Sequence, residues 1–279
     1  MFFCRDDSAV HPHTLVSSPG TFRRFDWDAN RDELLGTYAA LFEQATPDQL
    51  AFDGSATYLV TRKAPERIAQ LTPQARVIAL LRNPVDRAHS AYFHQLKNQR
   101  AVLSFEDQLK FEPGDILETG CYVRHISRYL RYFPREQLLI LPFERFTAEQ
   151  QATCDQVAEF LGLAKQPIKS ELGRTNEALV PFSIAGQRLV NLGLRLTQAN
   201  FEASAVRRER DPDQRGLAAR SIDKALRGLG RWNRGKRPYP DMNPRTRELL
   251  QVLYQRENRG LSELAGEDFG RWWPELTGI

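Results

Sequence analysis

The feature that most constrains this chain is Arg76-Val-Ile-Ala-Leu-Leu-Arg82, an unbroken apolar run between two charges, followed at once by Asn83-Pro84. Such a run suits a strand buried on both faces, as in a parallel sheet. Asn is a strong N-cap, and Pro, which has no N–H to leave unpaired, belongs at the first helical position. The chain therefore switches from strand to helix within two residues, and the helix is expected to run to about Arg100. Gln137-Leu-Leu-Ile-Leu-Pro142 is a second run of the same kind. The amphipathic stretch Thr147 to Leu161 follows it and stops at Gly162, a residue suited to a left-handed C-cap. Strands separated by helices imply parallel pairing and an α/β fold.

The remaining segments attach to this frame. Residues 1–29 mix Pro, Gly, Ser and His without periodicity and are expected to be irregular. Asn30 with Glu33 gives a capping-box start for a helix carrying Leu34, Leu35, Tyr38, Leu41 and Phe42 on one face. Arg62–Leu71, the segment opened by Ser104 and Asp107, and Tyr122–Tyr132 are expected to be helical. The last third is helical and more polar, with helices near Ser183–Thr197, Leu217–Leu229 and Pro244–Arg256. No internal repeat or low-complexity linker divides the 279 residues, so a single domain spanning 1–279 is expected.

Composition enters where it excludes classes of function. A hydrophobic content of 41% is enough for a folded core. No apolar run approaches the roughly 18–20 residues of a membrane span, and MFFCRDDSAV lacks the flank and apolar stretch of a secretory signal. A soluble, cytoplasmic protein is expected, and Cys4, Cys121 and Cys154 lack metal-ligand spacing and read as free thiols. The net charge of +4 is too small to require nucleic acid. Between Val206 and Arg237, however, eleven basic residues face four acids, which points to an anionic ligand or substrate nearby, or else to a solvated basic helix face.

A buried strand running into a capped helix puts backbone N–H groups and the positive end of the helix dipole at the sheet's C-terminal edge, where open α/β sheets bind ligands. Arg82 stands at that edge with a planar fork able to hold phosphate at two points. Ser90 and His94 follow on one helical face. Taken singly, each has an ordinary alternative: a solvated strand-end charge, a hydroxyl bonded to its own helix, a surface or core histidine. Further on, Arg234-Gly-Lys-Arg-Pro-Tyr239 places three cations beside Gly235, which lets backbone approach an anion, and beside Tyr239, fixed between prolines, which can pack on a base or sit on the surface as a turn aromatic.

Leu81-Arg-Asn-Pro-Val-Asp-Arg-Ala-His-Ser-Ala-Tyr-Phe-His94 resembles the 3′-phosphate-binding segment of the sulfotransferases that use 3′-phosphoadenosine-5′-phosphosulfate, nearest to the heparan sulfate N- and O-sulfotransferases and their bacterial relatives. Asp53-Gly-Ser-Ala-Thr-Tyr-Leu59 is similar to a short stretch that precedes this strand in the family, with Gly54 where a lysine is usual. FPREQLLILPFERF and the helix ending in FLGL resemble the second strand and its helix. Arg234 to Met242 is similar to the basic loop that closes over the nucleotide.

The resemblance implies a P-loop-NTPase-like three-layer α/β/α fold with a central parallel sheet. It implies 3′-phosphoadenosine-5′-phosphosulfate as co-substrate, no metal, and nucleotide contacts from Arg82, Ser90, Gly235 and Tyr239, with Arg234, Lys236 and Arg237 competing for the family's two basic contacts. Its acceptor would be a hydroxyl or amine on a carbohydrate. Relatives hold the 5′-phosphosulfate with an N-terminal strand and a Lys-x-Gly-Thr-Thr-type loop, followed by a Glu proposed as base. Neither occurs in this sequence, whose start looks like the residues just after that Glu. Ser17-Ser-Pro-Gly-Thr21 has the comparable Gly-Thr pair but no lysine. A chain extended upstream by roughly 30–40 residues is the expectation, and no P-loop signature replaces the loop. His94, whose side chain titrates near neutral pH, is the visible candidate for handling a proton. Two other readings stand beside this one: a descendant or fragment that binds nucleotide or polyanion without turnover, and a basic nucleic-acid-binding protein, which nothing groove-reading supports.

Overall fold

The structure, a computed structural model, describes residues 15–18, 21–24, 31–46, 48–168, 179–196 and 217–279. Two short antiparallel strands come first, β1 (Leu15–Ser18) and β2 (Thr21–Arg24), with Leu15 opposite Arg24 and Ser18 opposite Thr21. This corrects the expectation of an irregular segment over 1–29. Pro19-Gly20 separates two stretches containing Leu, Val and Phe, which is the composition of a hairpin. Helix α1 (Arg31–Ala39) continues as a single 3₁₀ turn, Ala40–Phe42. Helix α2 (Ala64–Leu71) packs beside it through Tyr58, Ala64, Leu35, Tyr38, Ile68 and Leu71.

Strand β3 (Val77–Leu81) leads into α3 (Pro84–Lys97), as the Asn83-Pro84 pair requires. Helices α4 (Phe105–Phe111), α5 (Gly114–Glu118) and α6 (Tyr122–Tyr129) intervene before β4 (Leu138–Pro142). Strands β3 and β4 pair in parallel, from Val77 opposite Leu138 to Leu81 opposite Pro142. Helices α7 (Phe143–Ala148) and α8 (Gln150–Leu161) follow, and α8 ends at Gly162 with φ 74°. One expectation needs correction here: β3 is not buried on both faces, since Leu80 is 44% exposed. Among the described residues β3 has β4 as its neighbour on one side, so it lacks the lateral cover that a strand in the middle of a sheet receives.

The last third is helical around one more strand pair. Strand β5 (Leu179–Pro181) precedes α9 (Ile184–Leu196); α10 (Leu217–Trp232) runs into β6 (Arg234–Lys236), which pairs antiparallel with β5. Helices α11 (Pro244–Glu257), α12 (Leu261–Ala265) and α13 (Phe269–Trp272) close the chain. The main core joins α3, α6 and the β3–β4 pair to this C-terminal region through Leu81, Val85, Tyr122, Ile126, Tyr254, Phe269, Trp273 and Leu276. Asn258, fully buried, ties α11 to α6: its carboxamide oxygen accepts from Tyr122 N at 2.7 Å and its nitrogen donates to Gly120 O at 2.9 Å. Gly120 is required there, because a Cβ would lie 2.6 Å from the Tyr254 ring.

Candidate functional site

The site is built on the turn between β3 and α3. Asn83 caps α3 with its side chain, accepting from Val85 N at 3.0 Å and Asp86 N at 3.3 Å, while Arg87 N donates to Asn83 O at 2.8 Å. Asn83 N itself donates to Glu144 Oε1 at 3.0 Å. Pro84 has no N–H, so every backbone donor of this first turn is engaged. The expectation that an anion would meet free backbone N–H groups here is therefore corrected: the first turn of α3 leaves none free.

Two side chains at this turn and on the helix after it are not engaged in the same way. Arg82 is partly buried at the strand's end, and among the described residues its guanidinium has no carboxylate partner; only its carbonyl is engaged, accepting from Tyr122 Oη at 2.7 Å. Ser90 is partly buried on α3, and its hydroxyl, rather than bonding back to its own helix, has no hydrogen-bond partner among the described residues. His94 lies in the last turn of α3 and is exposed, about 16 Å along the axis from Asn83 at 1.5 Å per residue. Asn98 Nδ2 stands 2.8 Å from its Nε2. Partial burial, then the charges of Lys97 and Arg100, hold the His94 pKa below the ordinary histidine value.

The basic segment reaches the same helix from the far end of the sequence. Tyr239 stacks on Phe93 of α3, ring centroids 4.7 Å apart and planes 13° from parallel. His89 meets Tyr239 edge-on at 6.1 Å and also contacts Phe93 and Phe105. Burial, with Arg247 and Arg82 adding to it against Asp86 and Glu106, keeps the His89 ring below its ordinary pKa. Sequence reasoning passed over His89; its place beside Ser90 and one turn beyond Asp86 was the available signal.

Arg234 to Lys236, read as loop from sequence, forms β6, with Arg234 opposite Pro181 and Gly235 opposite Val180. Buried Asn233 fixes this register: it exchanges hydrogen bonds with the backbone of Ser183 in both directions, each 2.8 Å. Gly235 also packs closely, since a Cβ would come 3.0 Å from the Phe182 ring, which would have to shift. Arg237 lies over that ring at 4.9 Å. Arg234 is exposed, Lys236 enters through its backbone opposite Leu179, and its side chain lies outside the described residues. A cleft of about 470 Å³ opens here, lined by Phe182, Arg237, Pro238, Tyr239 and Pro240 among others. The cations Arg207, Arg208, Arg210 and Arg215 lie outside the described residues, as do Pro19 and Gly20 of the Gly-Thr segment. Among the described residues no cluster of His, Cys, Asp and Glu has the arrangement of a metal site, and no helix is long and apolar enough to cross a membrane.

Fold and site together define an α/β protein that presents an unpaired arginine and a hydroxyl beside a parallel strand pair. Comparison with known proteins gives a family resemblance. Residues 41–177, just under half of the chain, match the family model described as Sulfotransferase domain. The match takes in β3, α3 and β4, the segments whose resemblance was read from sequence.

Among relatives, the chain is 27% identical over 275 residues to heparan sulfate glucosamine 3-O-sulfotransferase 6 of Mus musculus, covering 94% of this chain and 67% of that protein. It is 30% identical over 164 residues to the 3-O-sulfotransferase 3B1 of Homo sapiens, covering 56% and 41%. It is 33% identical over 175 residues to the human bifunctional heparan sulfate N-deacetylase/N-sulfotransferase 3, covering 55% and 20%. The chain thus spans two thirds of the first relative and less than half of the other two. A solved sulfotransferase from Alicyclobacillus acidocaldarius superposes with a TM-score of 0.49 at 24% identity, covering 78% of this chain and 84% of that one.

Proposed function

We propose that the chain, as one domain, transfers a sulfuryl group from 3′-phosphoadenosine-5′-phosphosulfate to a hydroxyl or amine of a carbohydrate. The observation that carries this reading is the stacking of Tyr239 on Phe93, which docks β6 and Arg237 onto the helix that bears Ser90 and follows Arg82 by two residues. Arg82 and Ser90, whose side chains have no partners among the described residues, would bind the 3′-phosphate, and Arg234, Lys236 and Arg237 would add charge. The cleft beside Tyr239 has the size and mainly apolar walls that suit an adenine.

In the transfer, the bond from sulfur to the 5′-phosphate oxygen breaks as the acceptor oxygen or nitrogen bonds to sulfur. The acceptor's proton passes to a base, and 3′-phosphoadenosine-5′-phosphate departs. His94 is our candidate base: held below its ordinary pKa, it is neutral near pH 7, and Asn98 must release Nε2 for it to accept. The relatives are named for O- and N-sulfation of heparan sulfate, and an acidic glycan fits the basic residues between 206 and 237. Unbonded Cys121 and Cys154 agree with a reducing compartment such as the cytoplasm.

The test pairs calorimetry of 3′-phosphoadenosine-5′-phosphate with an assay of sulfate transfer to a heparan-type oligosaccharide. Binding with turnover is expected. Binding without turnover supports the second reading, a nucleotide-binding protein that does not catalyse, and absence of binding sinks both.

A further inference from the structure

The turn that follows Arg82 is held by residues that the phosphate reading does not use. Asn83 is 4% exposed and already caps α3 with its own oxygen, so capping needs no carboxylate. Yet two carboxylates converge on it. Glu144 Oε1, just past β4, accepts from Asn83 N at 3.0 Å, and its Oε2 accepts from the indole Nε1 of fully buried Trp273 at 2.7 Å. Glu275 accepts from the Asn83 carboxamide, and its own carbonyl accepts from Gln255 of α11 at 3.3 Å. Both carboxylates engage Asn83, and among the described residues neither pairs with the guanidinium of Arg82, one residue back along the chain.

We propose that Glu144, Glu275 and Trp273 position Arg82: gripping Asn83 at backbone and side chain, they fix the direction in which the strand end presents its guanidinium. Resting on the reading of Arg82 and Ser90 as 3′-phosphate ligands, the role extends it to the C-terminal segment.

The experiment measures calorimetric affinities for 3′-phosphoadenosine-5′-phosphate and for adenosine 5′-phosphate, which lacks the 3′-phosphate, and takes their ratio. The parent protein should prefer the first. Glu144→Ala and Glu275→Ala should each shrink that ratio about tenfold while barely changing affinity for adenosine 5′-phosphate, the size of a lost charge-assisted hydrogen bond. Glu275→Gln, which can still accept from Asn83, should keep it. An unchanged ratio in either folded alanine variant overturns the positioning role, and so does a loss in Glu275→Gln equal to that in Glu275→Ala. Should Glu144→Ala fail to fold, the Glu275 pair decides alone. A parent protein that does not distinguish the two nucleotides overturns the functional reading itself, and this role with it.

Discussion

Tyr239 and Phe93 stack face to face at 4.7 Å, although one belongs to a proline-flanked segment near the C-terminus and the other to the third turn of α3. An aromatic pair of this kind contributes about 0.5–1.5 kcal/mol beyond the area it buries. Tyr239→Ala should therefore loosen the basic strand and weaken binding of 3′-phosphoadenosine-5′-phosphate by roughly two- to tenfold. Tyr239→Phe, which keeps the ring, should bind as the parent does. Calorimetry on the two variants separates stacking from any role of the hydroxyl.

Arg82 makes no ion pair among the described residues and is partly exposed, so its guanidinium contributes little to folding. Arg82→Ala should leave the melting temperature nearly unchanged and cost nucleotide affinity at least tenfold, the size expected for a charge-assisted hydrogen bond or better. Arg82→Lys should recover only part of the loss, because a lysine cannot present two parallel donors. A fall in melting temperature without loss of affinity would assign Arg82 to the fold instead.

Much of this frame was legible in the sequence. The apolar run at 77–81, the Asn83-Pro84 switch, the Ser104 cap and the Gly162 stop each depend on neighbours a few residues away, and local physics fixes them. What stayed hidden depends on contacts between distant segments. Nothing local says that Asn83 N–H will meet Glu144, that Asn233 will hold β6 against β5, or that Tyr239 will settle on Phe93. Gly235 shows the difference well: sequence reads it as room for an anion, whereas its missing Cβ is also room for the Phe182 ring.

His94 should reveal itself in turnover rather than in binding. It stands about three helical turns from Asn83 on α3, too far from Arg82 to share its phosphate contact. His94→Ala should lower kcat by about a hundredfold or more while leaving nucleotide affinity within twofold. An unchanged kcat removes it from the mechanism.

His125 supplies a pH dependence of stability whose sign follows from its surroundings. The ring is buried; Nε2 lies 2.8 Å from Glu118 O, and Nδ1 faces the Arg128 guanidinium. With a backbone acceptor at one nitrogen and a cationic donor at the other, the neutral tautomer protonated at Nε2 satisfies both. Burial, with Arg128 and Arg124 adding to it against Glu118, pushes the pKa down from 6.5 to about 4. Between those values the unfolded chain takes up a proton that the folded one refuses. Stability from this residue is thus fully present above pH 6.5 and falls as pH drops toward 4, by about 3 kcal/mol in all. Urea unfolding at pH 7.5 and at pH 5 should show the loss. His125→Gln, which can donate to Glu118 O and accept from Arg128 without titrating, should flatten that profile, and an equally steep profile in the variant would place the acid sensitivity elsewhere.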